Sequence, residues 1–67
     1  MIRYKIDVLE ALKEKGLTTY KLRQDNLISE STVAKLRKSE MVGLKPLDQL
    51  CELLGCDVGD IIRYEKD

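Results

Sequence analysis

The chain has 67 residues, among them three Tyr and no Phe, Trp or His. A chain this short buries about 60% of the surface it exposes when unfolded. It can form one domain, residues 1–67, around one small core, with no deep cleft between lobes. The absence of His removes the commonest acid–base catalyst and the commonest metal ligand. With 43% apolar and 36% charged residues, the composition is that of a globular domain and not of a disordered chain.

The longest apolar runs, such as Leu27-Ile28, Met41-Val42 and Leu53-Leu54, are far too short to cross a membrane. No apolar segment of the kind that directs secretion follows Met1, so a cytoplasmic protein is expected. Cys51 and Cys56 match no zinc spacing, and two thiolates do not complete a tetrahedral site. They read as two reduced core cysteines; no metal and no cofactor is expected. Net charge is zero, but its distribution is uneven. Between Thr18 and Lys45 there are six basic residues against three acidic ones, and the remainder has six against nine. A basic middle between acidic ends suits an anionic partner, although scatter among so many charges would produce the same pattern.

Ile2-Arg3-Tyr4 and Ile62-Arg63-Tyr64 repeat one pattern at the two ends. They can pair as a two-stranded ribbon, or Tyr4 and Tyr64 can simply cap the core. Helix 1 is predicted from Ile6 to Lys15, with Val8, Leu9, Ala11 and Leu12 inward and Gly16 following as a residue free to take φ > 0. Thr18 is an N-cap for a short helix over residues 19–24 whose inward residue is Leu22. Residues 25–28 form a turn in which Asn26 can occupy the left-handed region.

Ser29 caps a third helix over residues 30–38, with Val33 and Leu36 inward. A fourth helix runs from Leu44 to Leu54, with Pro46 tolerated in its first turn. Its stripe of Leu47, Leu50, Cys51 and Leu54 has i, i+3, i+4, i+7 spacing, and Gly55 closes it. Asp57 and Asp60 resemble a capping box and predict a fifth, very short helix whose Val58, Ile61 and Ile62 complete the core.

A short capped helix, a tight turn and a second capped helix make a helix-turn-helix candidate. Residues 17–38 resemble the signature of Cro/lambda-repressor-type (XRE family) transcriptional regulators, with matches at Leu17, Thr18, Leu22, Ile28, Ser29, Thr32, Val33 and Leu36. Residues 47–55 are similar to that family's fourth helix. The resemblance implies an all-α, five-helix, lambda-repressor-like DNA-binding domain, with the short terminal ribbon as an addition. Four positions depart from the family. Arg23 stands where a small alanine lets the two helices approach. Leu27 stands for the turn glycine, Thr19 for the opening glutamine, and Ser39 for the glycine closing helix 3. A bulky Leu27 resists φ > 0, so Asn26 is expected to take that conformation, or the turn is looser.

The resemblance makes residues 30–38 the recognition helix, whose N-terminal end enters the major groove. With Val33 and Leu36 inward, Glu30, Ser31, Ala34 and Lys35 are the candidate base readers. Ser31 can donate or accept, and Glu30 can accept only, cytosine N4 being its natural donor. Glu30 reads equally as a solvated acid at a helix start, and Thr32 faces either the core or a phosphate. Candidate phosphate contacts are Thr19, Tyr20 and Lys21 at one end, with Arg37, Lys38, Ser39 and Lys45 around the other.

The function expected is specific binding of double-stranded DNA by a transcriptional regulator, a repressor by type, acting as a weak homodimer that uses the domain itself. No membrane or small-molecule partner is implied. Nothing pairs a nucleophile with a base, so no enzyme is expected. The rival is a protein-interaction module, such as an antitoxin or anti-regulator, to which zero net charge, Glu30 and the altered turn lend weight.

Overall fold

Four α-helices follow one another in a computed structural model that describes residues 1–66: α1 (Val8–Glu14), α2 (Thr19–Gln24), α3 (Glu30–Arg37) and α4 (Leu44–Leu54). Strands β1 (Ile2–Tyr4) and β2 (Ile62–Tyr64) flank them, and one 3₁₀ turn, Val58–Asp60, leads from α4 to β2.

Three helices start on a side-chain cap. Asp7 Oδ1 accepts from the Glu10 N–H at 3.2 Å, Thr18 Oγ1 from the Lys21 N–H at 3.3 Å and Ser29 Oγ from the Thr32 N–H at 3.2 Å. Each satisfies one amide that the helix itself leaves unpaired. The cap on Asp7 shortens α1. Helix 1 was expected from Ile6, but Ile6 lies outside it and is exposed.

All four helices stop on a residue in the left-handed region: Gly16, Asn26, Ser39 and Gly55, with φ of 81°, 53°, 57° and 66°. In each case the next amide turns back five residues, to Leu12, Leu22, Lys35 and Cys51 respectively, at 2.8–3.1 Å. This is the Schellman arrangement, which satisfies orphan carbonyls at a helix C-terminus. At α2 it resolves the departure at Leu27. Asn26 supplies the positive φ, and Leu27 becomes the following residue, packed against the core beside Leu22. At α3, Ser39 itself adopts the conformation that glycine favours, and the helix ends at Arg37 instead of Lys38.

Helices α1, α3 and α4 surround a core in which Leu12, Leu22, Val33, Leu50 and Ile61 are almost inaccessible to solvent. The stripe on α4 buries Leu47, Leu50 and Leu54, while Cys51 stays half-buried at its edge. The expected fifth helix is only the single 3₁₀ turn. Its capping box is present: the Asp57 N–H donates to Asp60 Oδ2 at 3.1 Å and the Asp60 N–H to the Asp57 side chain, while the Val58 N–H also donates to Asp57 Oδ1 at 2.9 Å. Val58, expected inside, is 42% exposed, because a three-residue turn has no second turn to rotate it inward. Ile61 is fully buried in the core and Ile62 packs against it, as expected.

The ribbon forms. β1 and β2 pair antiparallel with Ile2 opposite Tyr64, Arg3 opposite Arg63 and Tyr4 opposite Ile62. Like charges directly opposite one another are unfavourable. Here Glu65 lies beside both guanidinium groups, at 3.7 Å from Arg3 and 3.5 Å from Arg63. An isolated pair of three-residue strands is marginal in water. This one is anchored at its inner end, where Tyr4 and Ile62 pack against the core and the Tyr4 hydroxyl donates to the Glu40 carbonyl at 2.8 Å. The architecture is thus four helices plus a ribbon. No helix is long and apolar enough to cross a membrane among the described residues.

Candidate nucleic-acid interface

The faces of α3 follow from its 3.6-residue period. Thr32, Val33 and Leu36 are buried, and Glu30, Ser31, Ala34, Lys35 and Lys38 are exposed. All four candidate base readers therefore lie on one solvent-facing stripe. Thr32, which read as either core-facing or phosphate-facing, is buried, and its hydroxyl lies 2.9 Å from Ser29 Oγ. It is a structural hydroxyl. Ser31 Oγ approaches the same cap at 3.1 Å. Either hydroxyl of this pair can be the donor, so exposed Ser31 keeps hydrogen-bonding capacity toward solvent.

Glu30 is not a free acid at the helix start. Its Oε1 lies 3.7 Å from Arg23 Nε, with both side chains largely exposed. The pair joins the last turn of α2 to the first residue of α3, across the turn itself.

The candidate phosphate residues divide differently from the sequence reading. Thr19, at the start of α2, was placed at one end of the interface, with Arg37 and Ser39 at the other. The structure brings Thr19, Arg37 and Ser39 together along one shallow groove between α1, the start of α2 and the end of α3. Tyr20, beside Thr19, is 73% exposed; Lys21 and Lys38 are also exposed. Lys45 was grouped with Arg37 and Ser39, but it lies elsewhere. It lines a second groove with Asn26, Ser29, Thr32 and Gln49, against the N-terminal end of α3. The reason is the loop over residues 40–43, which carries the chain away from the end of α3 before α4 begins.

Three features were not anticipated. Asp7, the cap of α1, and Glu10 and Lys13 within it share the groove with Thr19 and Arg37, so that groove is of mixed charge. The Asp7-x-x-Glu10 spacing ahead of an apolar run is itself a helix-start signal. Gln49 comes beside Lys45 one helical turn on. The pairing of Arg23 with Glu30 has no local signature, because their seven-residue separation spans a turn whose path only the fold sets.

A family model for the Cro/C1-type HTH DNA-binding domain matches residues 6–67. The chain is 29% identical over 62 residues to the uncharacterized HTH-type transcriptional regulator YozG of Bacillus subtilis (strain 168), across 92% of this chain and 74% of that protein. It is also similar to the crystal structure (Form II) of the transcriptional regulator VanUg. That match has a TM-score of 0.68 and 36% identity, over 98% of this chain and 89% of the other.

Proposed function

The chain belongs to the Cro/C1-type HTH DNA-binding family, and we propose that it is a sequence-specific, double-stranded-DNA-binding transcriptional regulator, a repressor by type, acting in the cytoplasm. It works by occupying its site and catalyses no reaction. The observation that carries this reading is the exposed stripe of α3. Glu30, Ser31, Ala34 and Lys35 stand together on solvent while the opposite side of the helix is locked into the core. A helix held in this way can enter a major groove without losing its own packing.

In this reading Lys35 and Ser31 address base edges, and small Ala34 lets the groove wall approach. Thr19, Arg37 and Ser39 hold one phosphate stretch, with Tyr20, Lys21 and Lys38 beside it, and Lys45 holds a second near the start of α3. Phosphate contacts fix register and base contacts carry the sequence information.

A homodimer on a pseudo-palindromic site would place its half-sites about 34 Å apart. The surface that supports it is the face of α4 and the 3₁₀ turn, where Leu44 is 85% exposed beside Val58. A patch this small makes a weak dimer in the absence of DNA. The second reading, a protein-interaction module such as an antitoxin or anti-regulator, is favoured by zero net charge and by an acid, Glu30, at the leading end of α3.

Fluorescence polarisation on random duplex separates the two. A DNA binder has a non-specific affinity that falls linearly on a log–log plot against salt, with a slope of about −0.9 per phosphate neutralised. Selection from randomised duplexes should then return one consensus. A protein with no salt-sensitive affinity for duplex at low ionic strength is not a DNA-binding regulator.

A further inference from the structure

Arg23 lies in the last turn of α2. Its side chain is about half exposed and brings its guanidinium to the first residue of α3, Nε standing 3.7 Å from Glu30 Oε1. It is the only ion-pair partner of Glu30 among the described residues. The distance is longer than a charge-assisted hydrogen bond, and an exposed pair of this kind adds little to stability. Its place in the fold matters more than its strength, because it spans the two helices at the leading end of the exposed stripe.

Building on the DNA-binding reading, we propose that Arg23 is a positioning residue for Glu30: by pairing with the carboxylate across the α2–α3 turn, it keeps Glu30 at the leading end of α3 as an acceptor for a cytosine N4 amino group. Duplex DNA carries about one negative charge per 1.7 Å of its axis, so a lone carboxylate brought into its groove is repelled. A guanidinium beside that carboxylate offsets the charge and leaves its second oxygen free to accept. Glutamate accepting from cytosine is a pairing the major groove permits. Arg23 comes from α2 and faces Glu30 through Nε, so its effect on base choice is exerted through Glu30.

The test is a double-mutant cycle of Arg23→Ala, Glu30→Ala and the double variant, with Arg23→Lys as the conservative control. Each protein is put through selection on randomised duplex, polarisation on the selected and random duplexes across salt, and a melting curve. Glu30→Ala should abolish a preference of roughly tenfold at one base pair per half-site. Arg23→Ala should relax the same base pair, and adding it to Glu30→Ala should change nothing further. Arg23→Lys should restore most of the preference, because an ammonium can also offset the carboxylate. The salt slope should shift by less than one phosphate contact in every variant, and all should melt close to wild type.

Three results would overturn the inference while the wild type still binds a consensus. Arg23→Ala could keep its full effect in the Glu30→Ala background with a slope shallower by about 0.9, which would make Arg23 a phosphate contact. The two single variants could relax different base pairs. Glu30→Ala could select the unchanged consensus. A wild type that binds no duplex would instead overturn the DNA-binding reading, and this inference with it.

Discussion

Replacing Leu27 with Gly tests how the α2–α3 turn is built, because two geometries predict opposite signs. If Leu27 itself held the positive φ of the turn, Gly would relieve backbone strain of about 1 kcal/mol or more and stabilise the fold. In the structure Asn26 holds that conformation, at φ 53°, and Leu27 packs against the core with its N–H 3.0 Å from the Leu22 carbonyl. Full burial of a leucine side chain contributes roughly 1.5–3 kcal/mol, and Leu27 is only partly buried, so its loss costs about 1 kcal/mol. The extra chain entropy of Gly adds about 0.5–1 kcal/mol. Together they destabilise by roughly 2 kcal/mol, a large share of the about 3–10 kcal/mol open to a chain this long. At about 4–8 °C per kcal/mol for domains of this size, Tm should fall by roughly 8–16 °C. Far-ultraviolet circular dichroism melts measure it, and urea titrations should show a lower midpoint with an unchanged m value. Asn26→Gly, one residue earlier, should leave Tm unchanged or raise it by a few degrees. A Leu27→Gly protein that melts at or above wild type would refute this account of the turn.

Leu50 is fully buried on α4, so Leu50→Ala should cost about 2–5 kcal/mol in denaturant titrations and leave the protein largely unfolded at 37 °C. Ser39→Gly should raise Tm by a few degrees, because Ser39 sits at φ 57° and a non-glycine residue costs about 1–2 kcal/mol there, only part of which Gly loses again to chain entropy. Lys38→Ala should weaken binding to all duplexes alike and make the salt slope shallower by about 0.9, or twice that for a dimer. Ser31→Ala should change base preference by roughly 1–3 kcal/mol at one position with little change in slope. Burial raises the Cys51 thiol pKa, and nearby Cys56, Asp48, Asp57 and Asp60 add to the effect. Its alkylation by iodoacetamide should therefore be slower than that of a small free thiol at the same pH and should keep accelerating as pH rises past the ordinary thiol range. With the folded pKa above the unfolded one, the neutral thiol favours the fold at lower pH, and that contribution is lost as pH rises through the folded value.

The helices were legible in the sequence because their signals are local. Thr18 and Ser29 announce caps, Gly16 and Gly55 announce stops, and the stripe of Leu47, Leu50, Cys51 and Leu54 announces a face; each depends only on neighbours within a turn or two of chain. The same locality identified Asn26 as the left-handed residue once Leu27 was seen to be too bulky for it. The exposed stripe of Glu30, Ser31, Ala34 and Lys35 followed from periodicity alone, given Val33 and Leu36 inside. What needed the tertiary structure was every relation between elements. The ribbon depends on the two ends of the chain meeting over a core that anchors Tyr4 and Ile62, which neither strand can arrange by itself. That Val58 stays outside the core while Ile61 enters it depends on where one 3₁₀ turn places the chain against α4. Lys45 moved from one end of α3 to the other because the loop before α4 sets its direction through packing. Arg23 met Glu30 because the turn between α2 and α3 folds the last turn of one helix beside the first residue of the next. Hydrogen bonds and steric preferences along the chain act over a few residues, whereas charge and packing act across whatever gap the fold happens to close.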